Sequence, residues 1–385
     1  MVTKKCLEIP PFIVMEVMEK AESMERQGEN IIHLEVGEPD FETPECVKEA
    51  AIRAIRDGKT HYTHSMGLPE LREAIAEYYG NRYNIKVSPD QILVMSGTSP
   101  AMLLLFMSLL EPGDEVILPN PYYACYPNFI RMVEGKPVFV NVYEEEGFQY
   151  RIEEIKPLIN PNTKAIFINS PANPTGNLMA PERMKAIADL GQIVVSDEIY
   201  HGLVYEGKEH SILEFTSEAM VINGFSKLFA MTGWRLGYVI VPPEFVRALQ
   251  KLHQNFFISA NAFVQWAGIA ALKEAQADVE RMKDLYNIRR KFIIRKLREL
   301  GFGITVEPTG AFYILANAKK FTQNSFEFAF DILKHAKVGC TPGIDFGSNA
   351  EGYLRFSYAN SLENIEEAMK RLGRYLQDRF PGKRS

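Results

Sequence analysis

Lys227, Asp197, Arg235 and Arg355 are the residues through which this chain could do chemistry. Lys227 follows the apolar run Met220–Asn223 after Gly224, Phe225 and Ser226. A lysine at the end of a buried strand loses solvation, its pKa falls, and the neutral amine can attack a carbonyl. Asp197 ends the run Val194–Val195–Ser196. A carboxylate there needs a cationic or hydrogen-bonding partner, unless it simply caps the turn that follows. Arg235 and Arg355 carry planar forks that match a carboxylate or a phosphate. Gly97–Thr98–Ser99 precedes an apolar helix, whose N-terminus can hold a phosphate or merely be capped by the turn. Each residue taken alone has an ordinary reading as a solvated or capping group.

The elements that must position them are legible as short, continuously apolar runs ending in turns. They are Ile92–Met95, Glu115–Leu118, Pro137–Asn141, Ala165–Asn169, Ile193–Ser196, Met220–Asn223 and Tyr238–Val241. Such runs suit strands buried on both faces. Helical patterns, such as Pro100–Leu110 and Pro181–Leu190, lie between several of them. Alternation of this kind predicts an α/β layer on a mostly parallel sheet. A helix over Val14–Gln27 comes first. After a charged helix from about Glu280 to Leu300, the pattern changes. Strands near Ile304–Glu307, Ala311–Leu315 and Tyr353–Tyr358, with helices Phe326–Ala336 and Leu362–Phe380, read as a smaller α+β domain. Glu144–Glu146 reads as a solvated loop and Pro381–Ser385 as a frayed tail.

Ligands of open α/β sheets sit beyond the carboxyl ends of the strands. Four such ends deliver Gly97–Thr98–Ser99, then Ser170 to Gly176 with Asn173, then Asp197 and Tyr200, then Ser226 and Lys227. Loops far apart in sequence thus converge on one rim.

Composition narrows the class. The chain has 385 residues, a net charge of -6 and four cysteines. No two cysteines have C-x-x-C spacing, so they read as reduced thiols of a cytoplasmic protein, and the histidines show no metal spacing. The acidic balance argues against a nucleic-acid partner. The uncharged run Ala101–Leu110 is too short to cross a membrane. Pro10, Pro11 and Glu16 interrupt the first apolar stretch, which argues against a secretory signal.

Ser226–Lys227–Leu228–Phe229–Ala230–Met231–Thr232–Gly233–Trp234–Arg235–Leu236–Gly237–Tyr238 closely resembles the lysine motif of the class I/II aminotransferases. The family's other motifs follow in order: Gly37–Glu38–Pro39–Asp40–Phe41, Tyr62, Ser96–Gly97–Thr98, Asn173–Pro174–Thr175–Gly176, Asp197–Glu198–Ile199–Tyr200 and Arg355. The resemblance spans essentially the whole chain and includes the aspartate, aromatic and alanine aminotransferases. It implies fold type I: a seven-stranded sheet flanked by helices in a large domain over residues 46–282. A small domain would combine residues 1–45 and 283–385. It implies pyridoxal 5'-phosphate as cofactor, an amino acid and a 2-oxo acid as substrates, and a homodimer with shared active sites.

By the same resemblance, Lys227 would bond to the cofactor and move the substrate proton, and Asp197 would pair with the pyridine nitrogen. Tyr200 and Asn173 would bond the phenolic oxygen, and Tyr123 would stack on the ring, a place its neighbour Tyr122 could also fill. Ser226, Arg235 and the Gly97–Thr98–Ser99 turn would hold the phosphate, helped by Tyr62 of the neighbouring subunit. Arg355, with Gly37 and Asn173, would bind the substrate α-carboxylate. The sequence departs from the family where Gly224 stands in place of a hydroxyl residue, and the segment Ala186–Ile193 is short. It offers no clear cation for a side-chain carboxylate. Phe12, Ile13, Phe256, Phe257 and Ile258 are instead candidates for an apolar pocket. A lyase or decarboxylase using the same cofactor is the alternative. A regulator fused to a DNA-binding domain finds no room, and a nicotinamide dehydrogenase lacks its G-x-G-x-x-G.

Overall fold

The computed structural model describes residues 2–381, so the expected frayed tail, Pro381 apart, lies outside the described residues. All seven expected runs are strands of one sheet. In chain order, after the short β1 (Ile32–His33), they are β2 (Ile92–Met95), β3 (Glu115–Asn120), β4 (Lys136–Asn141), β5 (Thr163–Asn169), β6 (Ile193–Asp197), β7 (Ala219–Gly224) and β8 (Gly237–Ile240). Their spatial order is β2-β8-β7-β6-β5-β3-β4. The pairs β4/β3, β3/β5, β5/β6 and β6/β7 are parallel, while β8 runs antiparallel to both β7 and β2.

The sheet is apolar on both faces, and the strand period of two explains how. Val94, Ile166, Ile168, Val194 and Val221 project into one core, whereas Met95, Phe167, Val195, Met220 and Ile222 project into the other. Because both faces are covered, no polar residue interrupts the central runs. The helix Thr98–Leu109 packs on the second face through Ala101, Met102 and Leu105.

A smaller antiparallel sheet has the order β11-β12-β9, from β9 (Tyr313–Asn317), β11 (Thr341–Pro342) and β12 (Tyr353–Ser357). β1 pairs in parallel with β10 (Val338–Gly339), which joins the two ends of the chain. Helices Ile13–Glu25, Ser325–Ala336 and Leu362–Arg379 fall where the periodicity puts them.

Two expectations are corrected, for one shared reason. Ile304–Glu307 is not a strand; nearby pairing is a single bridge between Gly303 and Asn317. The Glu144–Glu146 run is not a solvated loop either, since Glu144 is only 5% exposed. Its carboxylate accepts from Thr305 N at 2.8 Å, from Asn317 Nδ2 at 3.2 Å and from the Tyr353 hydroxyl at 3.1 Å. The backbone that would pair as a strand is recruited by this side chain. Replacing Glu144 by Ala leaves three donors unmet in a buried site and is expected to cost about 3 kcal/mol. Urea denaturation measures this; a change within about 0.5 kcal/mol, the range of ordinary surface substitutions, would remove the role.

Candidate active site

A cavity of about 340 Å³ lies beyond the carboxyl ends of β5, β6 and β7. It collects Gly37, Thr98, Ser99, Tyr123, Asn173, Asp197, Tyr200, Ser226, Lys227, Arg235 and Arg355, so all the expected site residues but Gly97 and Tyr62 line it. Gly97 adjoins the cavity beneath the Arg235 guanidinium. Tyr62 does not reach it. That side chain is 82% exposed, on a loop whose Thr63 N donates to Ser259 Oγ.

Lys227 Nζ donates to the Gly37 carbonyl at 2.6 Å. Burial lowers its pKa to about 8; the Arg355 and Arg235 charges push the same way, and Glu38 and Asp197 oppose them. The amine is therefore partly neutral near neutral pH. Asp197 is 5% exposed, and burial raises its pKa to about 6. Two hydrogen bonds pull against that rise. Oδ2 accepts from the Tyr126 hydroxyl at 2.7 Å and Oδ1 accepts from Ile199 N at 3.1 Å. The capping reading of Asp197 is thus also true, through Oδ1. Asn169 Nδ2 fixes the Asp197 backbone carbonyl at 2.9 Å, and Asn169 Oδ1 accepts from Asn173 N at 2.8 Å.

Arg355, on β12, is 2% exposed. It donates to Asn173 Oδ1 at 2.8 Å, to the Glu35 carbonyl at 2.5 Å and to Thr341 Oγ1 at 3.3 Å. The rings of Tyr313 and Phe346 flank its guanidinium at 4.4 and 4.8 Å. Its Nε is buried without a partner. Tyr200 shares a 2.8 Å hydrogen bond with Tyr313, hydroxyl to hydroxyl. Tyr123 faces the cavity, while Tyr122 stacks on Phe139 at 5.0 Å.

The end of the cavity beside Gly97 is shaped by backbone. The helix Thr98–Leu109 begins without a side-chain cap, after Gly97 at φ +99°. The positive φ favours glycine, and a Cβ there would sit 2.6 Å from the Arg235 guanidinium, which would have to move away. Arg235 is braced by a 2.9 Å bond to the Thr232 carbonyl. At the Gly224 departure the backbone is closely packed. Gly224 pairs with Gly237 across β7 and β8, and a Cβ there would lie 3.0 Å from the Leu236 carbonyl oxygen.

Sequence reasoning missed Tyr126 and Tyr313, which line the cavity, and gave no role to Glu38 of the Gly37–Phe41 motif, which lines it too. No spacing marks the two tyrosines; Tyr126 is 71 residues from the aspartate it serves. Of the candidates for an apolar pocket, Phe12 lines the cavity, whereas Phe256 and Ile258 are 58% and 50% exposed. Ile13 packs with Val17 and Leu333 instead, and Phe257 packs in the core beneath the second sheet face.

The family model for aminotransferase class I and II matches residues 29–372. The chain belongs to this family. It is a transaminase. It is 41% identical to the (5-formylfuran-3-yl)methyl phosphate transaminase of Methanocaldococcus jannaschii, over 98% of this chain and 100% of that protein. It is also 41% identical to the aspartate aminotransferase of Pyrococcus horikoshii, over 98% and 97%. The solved structure of Thermus thermophilus aspartate aminotransferase with maleate superposes at a TM-score of 0.93 and 38% identity, covering 97% of this chain and 99% of that one.

The Tyr126 bond holds down the proton affinity of this transaminase's Asp197, so Tyr126→Phe is expected to raise the Asp197 pKa above about 6. Carbon-13 titration of the cofactor-free protein, with Asp197→Asn to assign the signal, measures it. An unchanged or lowered value contradicts the assignment.

Proposed function

We propose that the protein moves the α-amino group of an L-amino acid to a 2-oxo acid, using pyridoxal 5'-phosphate in a ping-pong cycle. The observation that carries this reading is the cleft's set of charged groups. It combines an amine poised near neutrality, a carboxylate with raised proton affinity and two guanidinium groups at separate ends.

These residues fit the cofactor. The Gly97 cradle beneath Arg235, with Thr98, Ser99 and Ser226, would take its phosphate. Asp197 would face the ring nitrogen, where a shared proton offsets the cost of burying the carboxylate. Tyr123 would cover one ring face, and Tyr200 with Asn173 would bond the phenolic oxygen. When bound, pyridoxal phosphate supplies an electrophilic carbonyl and an electron-accepting ring.

The chain's own groups do the rest. Lys227 would bind the cofactor, then act as the base and acid that moves the proton at the substrate Cα. Arg355, with its buried, unpartnered Nε, would clamp the α-carboxylate beside Gly37 and Asn173. That clamp would fix the orientation of the substrate Cα, and hence which of its bonds reacts. Asp197 would keep the ring nitrogen protonated.

The relatives named aspartate and aspartate/prephenate aminotransferase support an aspartate-type donor; a broader or aromatic donor range and 2-oxoglutarate or oxaloacetate as acceptor follow from the family resemblance alone. The remaining expectations belong to the same proposal. The protein would be a cytoplasmic homodimer in which Tyr62 reaches the neighbouring site. Residues 46–282 would form the cofactor domain and both chain ends the small one, in keeping with the β1–β10 pairing.

Purified protein given pyridoxal phosphate, a panel of amino donors and 2-oxoglutarate is expected to release the donor's 2-oxo acid with parallel double-reciprocal plots. Ammonia or CO2 in its place would support the lyase or decarboxylase alternative. Lys227→Ala is expected to abolish both turnover and borohydride-fixable cofactor. Retention of that linkage at normal stoichiometry would assign it to another lysine.

A further inference from the structure

Arg355 adjoins a charged pair that the chemistry above does not use. Glu35 lies just beyond β1 and is 0% exposed. Its Oε1 accepts from His33 Nδ1 at 2.6 Å, and its Oε2 is buried without a partner. The other ring nitrogen of His33, Nε2, lies 3.2 Å from Glu25 Oε1. An ionised carboxylate only accepts, so a ring bonded to a carboxylate at each nitrogen carries both protons and a positive charge. The bond to Glu35 is the main cause that raises the His33 pKa, to about 9; burial opposes it, and the Glu35 and Glu25 charges add to it.

The pair bears on the cleft because the Glu35 backbone holds Arg355. Three successive carbonyls of this stretch are taken by β12 and the turn after it. His33 O accepts from Asn360 Nδ2 at 2.9 Å, Leu34 O from Ser357 N at 2.7 Å and Glu35 O from Arg355 at 2.5 Å. Thr341 Oγ1 also donates to the Glu35 carbonyl, at 3.2 Å. A shift of Glu35 therefore moves an acceptor of the guanidinium itself.

Burying an ionised carboxylate without a cation is strongly unfavourable. Among the described residues, His33 is the one hydrogen-bond partner of the Glu35 side chain. With no surface exposed, Glu35 cannot take a substitute from solvent or from a second subunit. Cys340 faces the carboxylate and offers no positive charge; burial and then Glu35 push its thiol pKa up. The cations that flank the stretch are engaged elsewhere, Lys337 by Glu29 at 2.8 Å and Arg371 by Glu367 at 3.0 Å.

We propose that His33 and Glu35 are positioning residues: their ion pair holds the Glu35 carbonyl against Arg355 and so sets how tightly the clamp takes the substrate α-carboxylate. This rests on the transaminase reading, which gives Arg355 that role. It makes the clamp sensitive to alkaline pH. His33 is charged below its pKa, so the pair is intact near neutral pH and is lost as pH rises through about 9. Glu35 must then take up a proton or leave its seat.

The test uses the cofactor-loaded enzyme with the donor of the panel above that gives the highest kcat/KM. At pH 7, His33→Gln is expected to raise the donor KM about tenfold with kcat within about twofold, as weakened binding requires. The ratio of variant to wild-type KM is expected to fall from about ten at pH 7 to about two at pH 10, because the wild type loses the same charge. Taking the ratio cancels the titrations of Lys227 and of the substrate amine, which both proteins share. Adding Glu35→Gln to His33→Gln removes the buried charge and is expected to recover most of the loss. If packing alone mattered, the second substitution would restore nothing.

A histidine titration reads the pair without turnover. In cofactor-free protein with carbon-13-labelled histidine, and with His33→Gln to assign the signal, His33 is expected to show a pKa of about 9. In Glu35→Gln that value is expected to fall toward the ordinary value of about 6.5. An ordinary His33 pKa in the wild type, a KM ratio that does not change with pH, or no recovery in the double variant would each overturn the proposal. Should His33→Gln fail to fold alone, the two titrations and the double variant, which buries no charge, still decide it. A wild type that converts no donor would instead refute the transaminase reading, and this proposal with it.

Discussion

The structure turns on keeping charges buried in one narrow cleft. Arg355 and Asp197 are almost wholly removed from solvent, and Lys227, partly buried, lines the cavity. An unpartnered charge in such surroundings costs several kcal/mol, so each must be met by fixed dipoles or by an opposite charge. Much of the architecture near the site meets that demand. The Glu35 and Gly37 carbonyls, Thr341, Asn173 and the Tyr126 hydroxyl all point at one of these groups. What they leave incomplete is informative. The unpartnered Arg355 Nε and the raised Asp197 pKa mark where bound molecules would finish the electrostatics.

The sheet supplies the rigidity that this requires. β5, β6 and β7 run in parallel and in register, so Asn169, Asp197 and the turn leading to Lys227 emerge side by side. The antiparallel β8 then returns the chain past the Gly97–Thr98 turn. The Gly224–Gly237 pair keeps that passage narrow enough for Arg235 to lie over the cradle. Arg355, by contrast, comes from outside this sheet, on β12, and Phe12 enters the cavity from the start of the helix Ile13–Glu25.

The sequence by itself determined the seven strands, because residues buried on both faces of a sheet must be apolar without interruption. It also determined which strand ends carry Asn173, Asp197 and Lys227, because those ends follow directly in the chain, and the ordered motifs named the family. It did not reveal the bonds that tune them. Tyr126 reaches Asp197 across 71 residues, Asp345 caps a helix 332 residues away, and Glu144 takes the backbone of Thr305 out of a strand. In each case a side chain acts on a group that only folding brings near. Local patterns report a residue's own burial and period. Its partners at long range depend on the register and packing of the whole molecule, which the tertiary structure alone decided.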